Sequence, residues 1–215
     1  MKLSPQMLLE AYRLGFFPMA QSRDSDQLEW VKPRIRGIFP LDRFHVPRSL
    51  AKVVRQERFV VRTDKVFTEV MQYCASEEAG RDDTWINEEI VEVYGELHRM
   101  GHAHSVEAWQ DGALVGGLYG VSIAGAFFGE SMFSLANDAS KVALCHLVAR
   151  LKIGGYRLLD TQFLTPHLQR LGGAEMHHED YDVLLSKALS VDGDFTALPD
   201  QTSGSSILQA ITQTS

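Results

Sequence analysis

Two different periods of apolar and polar residues run along the chain and predict helices and strands in mixed order. Apolar positions recur every three to four residues between Ser4 and Gly15, where Ser4 suits the N-cap and Pro5 the first turn. Helical spacing recurs over 47–58, 64–74, 84–101, 140–153 and 181–189, with Asp64 as a cap for the second of these. Apolar runs predict strands over 59–61, 104–109, 114–123, 126–133 and 156–163, with one or two short strands between 28 and 41.

The order of these elements predicts an α+β fold. Turn signals at Asp111-Gly112 and Ala124-Gly125 join three strands into an antiparallel meander, and a strand–helix–strand crossover follows. We expect a mixed sheet flanked by helices, with a small N-terminal domain over 1–60 and a larger domain over 61–189. Residues 190–215 are rich in Ser, Thr, Gly, Asp and Gln, which predicts a disordered tail.

Composition narrows the class of protein. The 215 residues are 45% hydrophobic and 23% charged, as in ordinary globular proteins. No apolar run approaches the roughly 20 residues of a membrane-spanning helix, and the first residues lack the apolar stretch of a secretory signal. Two cysteines, Cys74 and Cys145, do not suggest an oxidising compartment. We therefore expect a soluble, cytoplasmic protein with no membrane partner.

Charge is unevenly distributed along the sequence. The net charge is −7, yet residues 31–65 hold ten Lys and Arg against three acids. On the helix that follows Pro47, four cations fall within an arc of about 120°; they are Arg48, Lys52, Arg55 and Arg58. This face could contact the phosphates of a nucleic acid, and a solvated surface is the alternative.

Two groups of polar residues are candidates for chemistry. His98, His102 and His104 could suggest a metal, but Gly101 ends the helix between the first two, so hydrogen-bonded histidines without a metal are the better interpretation. Glu130 stands in an apolar strand, and Asp160 and Gln162 lie two apart on one face of another. Solvation at a sheet edge would explain each of these three alone, and it explains all three together less well.

Several segments, taken in order from about residue 4 to 188, resemble the bacterial leucyl/phenylalanyl-tRNA–protein transferases. They are Ala11–Met19, Arg36–Pro40, Thr84–Ile86, Leu97–His98, Gly101–Glu107, Leu114–Gly120, Phe127–Ser134, Ala139–Lys141 and Asp160–Gln162. The resemblance implies transfer of leucine or phenylalanine, with methionine as a third candidate, from aminoacyl-tRNA to proteins that begin with Arg or Lys. It also implies an acetyltransferase-like (GNAT-type) second domain, an N-degron product and no cofactor; we expect a monomer.

The resemblance also assigns roles to residues. Asp160 and Gln162 correspond to the family's catalytic pair. Because an amide is a poor base, we expect the Gln162 carbonyl to accept a hydrogen bond from the attacking amine while Asp160 holds the NH₂ group of Gln162. Removal of the proton by this pair or by the ribose hydroxyl of the substrate is the alternative. Glu130 would bind the aminoacyl amino group or help to recruit the acceptor. Further residues would surround the terminal adenosine (Trp85, Tyr12, Tyr94), line an apolar pocket (Leu118, Phe127, Leu159) or grip the acceptor stem (Arg48, Lys52, Arg55, Arg58).

Two departures from the family pattern are visible. Several relatives have Trp where Met19 stands, so an aromatic contact to adenosine is missing or comes from Trp30. Thr161 stands where Cys is common, and we expect no effect because it points to the opposite face of the strand.

Two other functions stay open from the sequence. An acyl-CoA N-acyltransferase would need a Gly-rich loop before the helix at 140, and residues 134–140 contain no glycine. A non-catalytic RNA-binding module would use the cationic face alone and would leave Glu130, Asp160 and Gln162 unexplained.

Overall fold

The computed structural model describes residues 3–20, 22, 28–76 and 84–213. Of the polar loop predicted at 20–29, residues 21 and 23–27 lie outside the described residues, and so does the whole of the loop predicted at 77–83. The helices are α1 (Pro5–Arg13), α2 (Arg48–Arg55), α3 (Phe67–Cys74), α4 (Glu88–Arg99), α5 (Ala139–Ile153), α6 (Pro166–Arg170), α7 (His178–Leu189) and α8 (Gly204–Thr212). The strands are β1 (Phe17–Ala20), β2 (Leu28–Val31), β3 (Ile35–Phe39), β4 (Val60–Thr63), β5 (Ala103–Gln110), β6 (Ala113–Ile123), β7 (Ala126–Ser134), β8 (Leu158–Gln162) and β9 (Ala174–His177).

A mixed sheet of seven strands forms the centre of the fold, in the order β4-β5-β6-β7-β8-β3-β9. The meander β5-β6-β7 is antiparallel, and α5 crosses over to bring β8 parallel to β7. The predicted meander, the crossover and the α+β class are thereby confirmed. Both turns use left-handed backbone, with φ of 52° at Asp111 and 51° at Ala124.

Helices cover both faces of the sheet. One apolar cluster joins residues of α1, α3, α4 and α7 to one face. A second cluster joins residues of α2, α5 and α8 to the other face. No helix within 3–20, 28–76 or 84–213 is both long and apolar enough to span a lipid bilayer.

The N-terminal part of the chain is divided between two sheets. Strands β1 and β2 form a separate antiparallel pair, whereas β3 lies inside the large sheet between β8 and β9. Because β3 precedes residue 60 but belongs to the seven-stranded sheet, the expected domain boundary near residue 60 does not coincide with the separation between the two sheets. Asp64 also differs from expectation, because α3 begins after Val66 and the Asp64 carboxylate accepts the backbone N–H of Ser105 instead.

Residues 190–213 are ordered and include α8, which corrects the prediction of a disordered tail for this part of 190–215; residues 214 and 215 lie outside the described residues. Helix α8 buries Ile207, Ala210 and Ile211 in the second apolar cluster, together with residues of α2 and α5. Phe195, which precedes the helix, is buried in the same cluster. These three helix positions already have helical spacing in the sequence. The Ser- and Thr-rich composition of the whole segment hid that short pattern.

Strands β7 and β8 separate along their length, and this positions the site. Their parallel pairing runs from Ala126 opposite Leu158 to Phe128 opposite Asp160, while β7 continues to Ser134. Beyond Phe128 the two strands diverge and leave their polar and apolar side chains facing a gap.

Candidate active site

An apolar cavity of about 400 Å³ lies in the gap between β7 and β8. Leu118 and Leu159 line it from the sheet, Leu144 and Leu147 from α5, and Trp85 from the segment before α4. Glu130 and Gln162 are also on its wall, so a mainly apolar space carries a carboxylate and an amide. The other polar side chains on the wall are Ser131, Thr161, Thr165 and His167. The volume lies within the range of small-molecule sites.

Glu130 sits at the centre of a hydrogen-bond cluster on this wall. Its Oε1 accepts from the Tyr12 hydroxyl at 2.7 Å and from Gln162 Nε2 at 2.9 Å, and Tyr94 Oη lies 3.5 Å from Oε2. Removal from bulk water raises the pKa of Glu130 to about 7; the hydrogen bonds from Tyr12 and Gln162 oppose that rise, and the charge of Asp160 adds to it. The carboxyl group therefore changes its charge near neutral pH.

Asp160 differs from Glu130 because it is fully buried and both oxygens of its carboxylate accept hydrogen bonds from N–H or O–H groups of the protein. Arg36 donates from Nε at 2.9 Å to Oδ1 and from Nη2 at 2.5 Å to Oδ2, and the Tyr181 hydroxyl donates to Oδ2 at 2.6 Å. The backbone N–H of Gln162 completes the set at 2.7 Å from Oδ1. Because no face of this carboxylate is exposed, it can hold Gln162 but cannot reach a substrate.

The expected contact within the catalytic pair is corrected by this geometry. Asp160 accepts the backbone N–H of Gln162, and Glu130 accepts its side-chain NH₂ group. Gln162 has a φ of 62°, a left-handed conformation that costs roughly 1–3 kcal/mol for a residue other than glycine. The bond from Asp160 fixes this conformation, which turns the amide toward Glu130.

Arg36 was not identified as a site residue from the sequence. It is 1% exposed, its Nη1 donates to the Gly15 carbonyl at 3.0 Å, and its guanidinium lies between the rings of Phe17 and Tyr181, 4.7 Å from each. A single arginine in the apolar strand β3 was the available signal, because a buried cation requires a buried anion.

The tyrosines occupy other places than expected. Tyr12 and Tyr94 are fully buried, with their hydroxyls 2.5 Å apart, and neither lines the cavity. Because neither ring has an exposed face, Tyr12 and Tyr94 cannot stack on an adenine in this conformation. Their hydroxyls instead contact the carboxylate of Glu130. Burial raises the pKa of both hydroxyls, so both stay protonated and can donate.

Of the other predicted site residues, some line the cavity and one does not. Leu118, Leu159 and Trp85 line the cavity, whereas Phe127 does not line it and is fully buried beside Phe195, with ring centroids 5.7 Å apart.

Other residues of the cavity wall were outside the sequence prediction. Met19 and Thr161 line the cavity, so the expectation that Thr161 faces away from the site is not met. Phe163 is 49% exposed at the wall and rests edge-on against Phe17, with ring centroids 5.8 Å apart. Trp30 does not line this space.

The cationic face is shorter than expected. Arg48, Lys52 and Arg55 are exposed on α2. The helix ends at Arg55, so Arg58 lies beyond it and donates from Nε to Gln56 Oε1 at 2.9 Å. Three cations therefore share the helical face.

The three histidines make separate hydrogen bonds. The Nδ1 atoms of His98, His102 and His104 lie 2.8 Å from the Ala103 carbonyl, 3.3 Å from the Ser122 carbonyl and 2.8 Å from the Asp64 carboxylate. In the part of the chain that the structure describes, no group of three or more His, Cys, Asp and Glu could hold a metal ion.

Family models and the sequences of related proteins all match this chain under one family name. The family model described as leucyl/phenylalanyl-tRNA protein transferase matches residues 38–186, and the model of that family's N-terminal domain matches 1–34. Three relatives carry the name leucyl/phenylalanyl-tRNA–protein transferase. That of Rhizorhabdus wittichii is 57% identical over 189 residues, which cover 88% of this chain and 76% of the relative. That of Maricaulis maris is 54% identical over 208 residues, which cover 97% and 96%.

The third, from Rhodospirillum rubrum, is 54% identical over 199 residues, which cover 92% of this chain and 93% of the relative. A solved structure titled "The structure of L-PGS from Bacillus licheniformis" is similar at 13% identity and a TM-score of 0.41, over 77% of this chain and 55% of that one. The two family models together match nearly all of residues 1–186. This chain belongs to the leucyl/phenylalanyl-tRNA–protein transferase family.

Proposed function

We propose that the protein transfers leucine or phenylalanine, with methionine as a third candidate, from aminoacyl-tRNA to the N-terminal amine of proteins that begin with Arg or Lys. The amine attacks the ester carbonyl, a peptide bond forms, and the ribose hydroxyl of the tRNA leaves with a proton. The aminoacyl ester is already activated, so the reaction requires no metal or coenzyme. The product carries a new N-terminal residue that marks it for degradation.

The observation that carries this proposal is the hydrogen bond between Glu130 and Gln162 on the wall of a mainly apolar cavity. The cavity would take the side chain of the aminoacyl group, and Glu130 would bind its α-ammonium group. A bound cation lowers the pKa of a neighbouring carboxyl group. Glu130 therefore ionises when the aminoacyl group arrives, although its pKa is about 7 without a ligand.

Gln162 is suited to positioning the attacking amine. Its NH₂ group is held by Glu130, which leaves the carbonyl oxygen to accept a hydrogen bond from the amine. An N-terminal amine has a pKa of about 7.7–8.0, so an appreciable fraction is neutral near pH 7 and the demand on a base is small. Asp160 acts through Gln162 and is a positioning residue, because Arg36 and Tyr181 enclose its carboxylate.

The cationic face of α2 would contact the acceptor stem of the tRNA. Arg48, Lys52 and Arg55 are exposed and would contact phosphates without reading the sequence. Affinity for tRNA should therefore fall steeply with salt. The variant Lys52→Glu/Arg55→Glu should bind tRNA at least about tenfold more weakly, as measured by filter binding at several salt concentrations. Wild-type affinity in this variant would refute the assignment.

A GNAT-type fold for the second domain is part of the proposal. Support comes from the divergence of two adjacent parallel strands, with the cavity in the gap between them. We also propose that the protein works as a cytoplasmic monomer, since charged tRNA and newly exposed N-termini are cytoplasmic substrates.

The start of α5 argues against a coenzyme A donor. Asp138 stands at its N-cap and pairs with Lys141 at 2.6 Å, so a carboxylate occupies the place where a pyrophosphate would bind. This favours the aminoacyl-tRNA donor over an acyl-CoA donor.

Radiolabelled leucyl-tRNA tests the proposal directly. The purified protein is mixed with this donor and with two peptides that differ only in beginning with Lys or Ala. Label should move to the Lys peptide alone. Transfer to neither peptide, with tRNA still bound, would favour a non-catalytic RNA-binding protein, and transfer from acyl-CoA instead would favour the other alternative.

A further inference from the structure

Helix α8 joins the cationic helix α2 to the helix that lines the cavity. It packs on both α2 and α5. Ile207 and Ile211 of α8 share one apolar cluster with Leu50 and Val54 of α2. The exposed side of α2 carries the cations, so its buried side is the one that meets α8. Helix α8 lies outside the residues matched by the family model, which end at 186.

The start of α8 touches the end of α2 through the backbone. A side chain on Gly204 would overlap the carbonyl group of Val54 and lie 3.3 Å from the Cα of Arg55. The N–H of Gly204 donates to Glu57 Oε1 at 2.9 Å. Glu57 follows α2 and has a φ of 49°. The position of Arg55 is thus set by a direct contact with α8.

The C-terminal end of α8 and the residues that precede this helix are both bound to α5. Lys152 Nζ donates to the carbonyl of Ile211 at 2.8 Å and to that of Gln213 at 2.6 Å. Arg150 donates to the Phe195 carbonyl at 2.7 Å and to Asp200 Oδ1 at 2.9 Å. Earlier residues of the same helix, Leu144 and Leu147, line the cavity. A continuous set of contacts therefore runs from the cationic face through α8 to the cavity.

We propose that α8 is a positioning element for the tRNA donor. It holds the cationic face of α2 at a fixed distance and angle from the cavity, so that one tRNA can contact both. This inference rests on the proposed function. A donor that spans both places depends on their relative position, whereas a donor that fills only the cavity does not. Displacement of α2 should therefore weaken binding of the tRNA donor and leave the chemical step unchanged.

Two donors with the same aminoacyl group test this proposal. They are phenylalanyl-tRNA and phenylalanyl-adenosine, which is the aminoacylated terminal nucleoside alone. The variant Gly204→Val should raise KM for the tRNA donor about tenfold or more and leave kcat and the use of phenylalanyl-adenosine within about twofold. Gln209→Ala, on the exposed side of α8, is the matched control and should behave as wild type.

A second pair of variants separates position from charge and from loss of folding. Glu57→Ala removes the acceptor for the Gly204 N–H and also an acidic group next to the cations. Charge alone would tighten tRNA binding, whereas displacement of α2 should weaken it, so the sign of the change decides. Glu57→Gln keeps an acceptor and should restore wild-type KM or improve on it.

Several results would overturn the proposal. An equal loss with both donors in Gly204→Val would mean that α8 only supports the fold, and tighter tRNA binding in Glu57→Ala would mean that charge dominates. Affinity for uncharged tRNA, measured without any transfer, keeps this test separate from the function itself. A wild-type protein that uses neither donor would refute the proposed function, while weaker binding of uncharged tRNA by Gly204→Val would still support α8 as a positioning element.

Discussion

The raised pKa of Glu130 predicts that the site lowers the stability of the protein at neutral and higher pH. The pKa is about 7 in the folded chain, against an ordinary value of 4.5. Between these values the folded protein retains a proton that the unfolded chain has released. Stability therefore falls as pH rises through this window and is constant above it. Replacing Glu130 by Gln removes the titration and keeps an oxygen that can accept from Tyr12 and Gln162.

The size of this effect follows from the shift in pKa. Each unit of pKa is worth about 1.4 kcal/mol, so the wild-type protein should lose at most about 2.5 kcal/mol relative to Glu130→Gln between pH 5 and pH 8. Glu130 is not completely buried, so solvent screens its charge and reduces this figure. Urea unfolding followed by tryptophan fluorescence measures the free energy of both proteins across the pH range. The variant should also lose transfer activity, since Gln cannot bind the ammonium group by charge.

Other titrating groups are common to both proteins and cancel in the difference. Glu69→Gln is a matched control, because it makes the same substitution at an exposed position on α3. A difference between wild type and Glu130→Gln that is flat from pH 5 to pH 8 would refute the reasoning. So would a difference that changes in the opposite direction.

Three further variants test the neighbours of Glu130. Asp160→Asn should cause a large loss of kcat with little change in tRNA affinity and should destabilise the protein by about 3–5 kcal/mol, because the buried Arg36 loses its counter-charge; kinetics and urea unfolding measure both effects, and unchanged activity would contradict the role of the pair. Leu144→Phe should narrow the cavity and reduce transfer of phenylalanine relative to leucine by roughly tenfold or more in a competition assay, and an unchanged ratio would place the side chain elsewhere. Phe163→Ala should raise KM for the aminoacyl-tRNA about fivefold by removing a half-exposed ring on which a base can stack, whereas a wild-type KM would exclude that contact.

Local patterns in the sequence were enough to predict the meander β5-β6-β7 and the crossover to β8, but they did not predict strand β9. Two-residue turns and apolar alternation are properties of short segments, and they indicated the meander and the crossover correctly. The helix at Pro5–Arg13, with Ser4 as its N-cap, follows from the same kind of signal. Helix α8 was missed because its apolar residues, Ile207, Leu208, Ala210 and Ile211, stand in a segment whose overall composition is polar, and its stability comes from packing on α2 and α5.

The site could be predicted only in part. Glu130, Asp160 and Gln162 were identifiable because polar groups in apolar strands are costly, but their pairing depends on where β7 and β8 diverge. The left-handed conformation of Gln162 breaks the alternation of side chains along β8, so a rule of two faces could not give its contacts. The roles of Arg36, Tyr12 and Tyr94 depend on contacts with residues 124, 118 and 36 positions away.

The hydrogen bonds around Glu130 also bear on when during folding the protein becomes active. Its partners come from the first helix, from α4 and from the strand after the crossover, at sequence separations of 118, 36 and 32 residues. The cluster therefore exists only after both ends of residues 12–162 have docked on the same strand. A nascent chain, or a proteolytic fragment that lacks α1, should have no transfer activity. Transfer activity thus begins only once residues 12–162 have folded together.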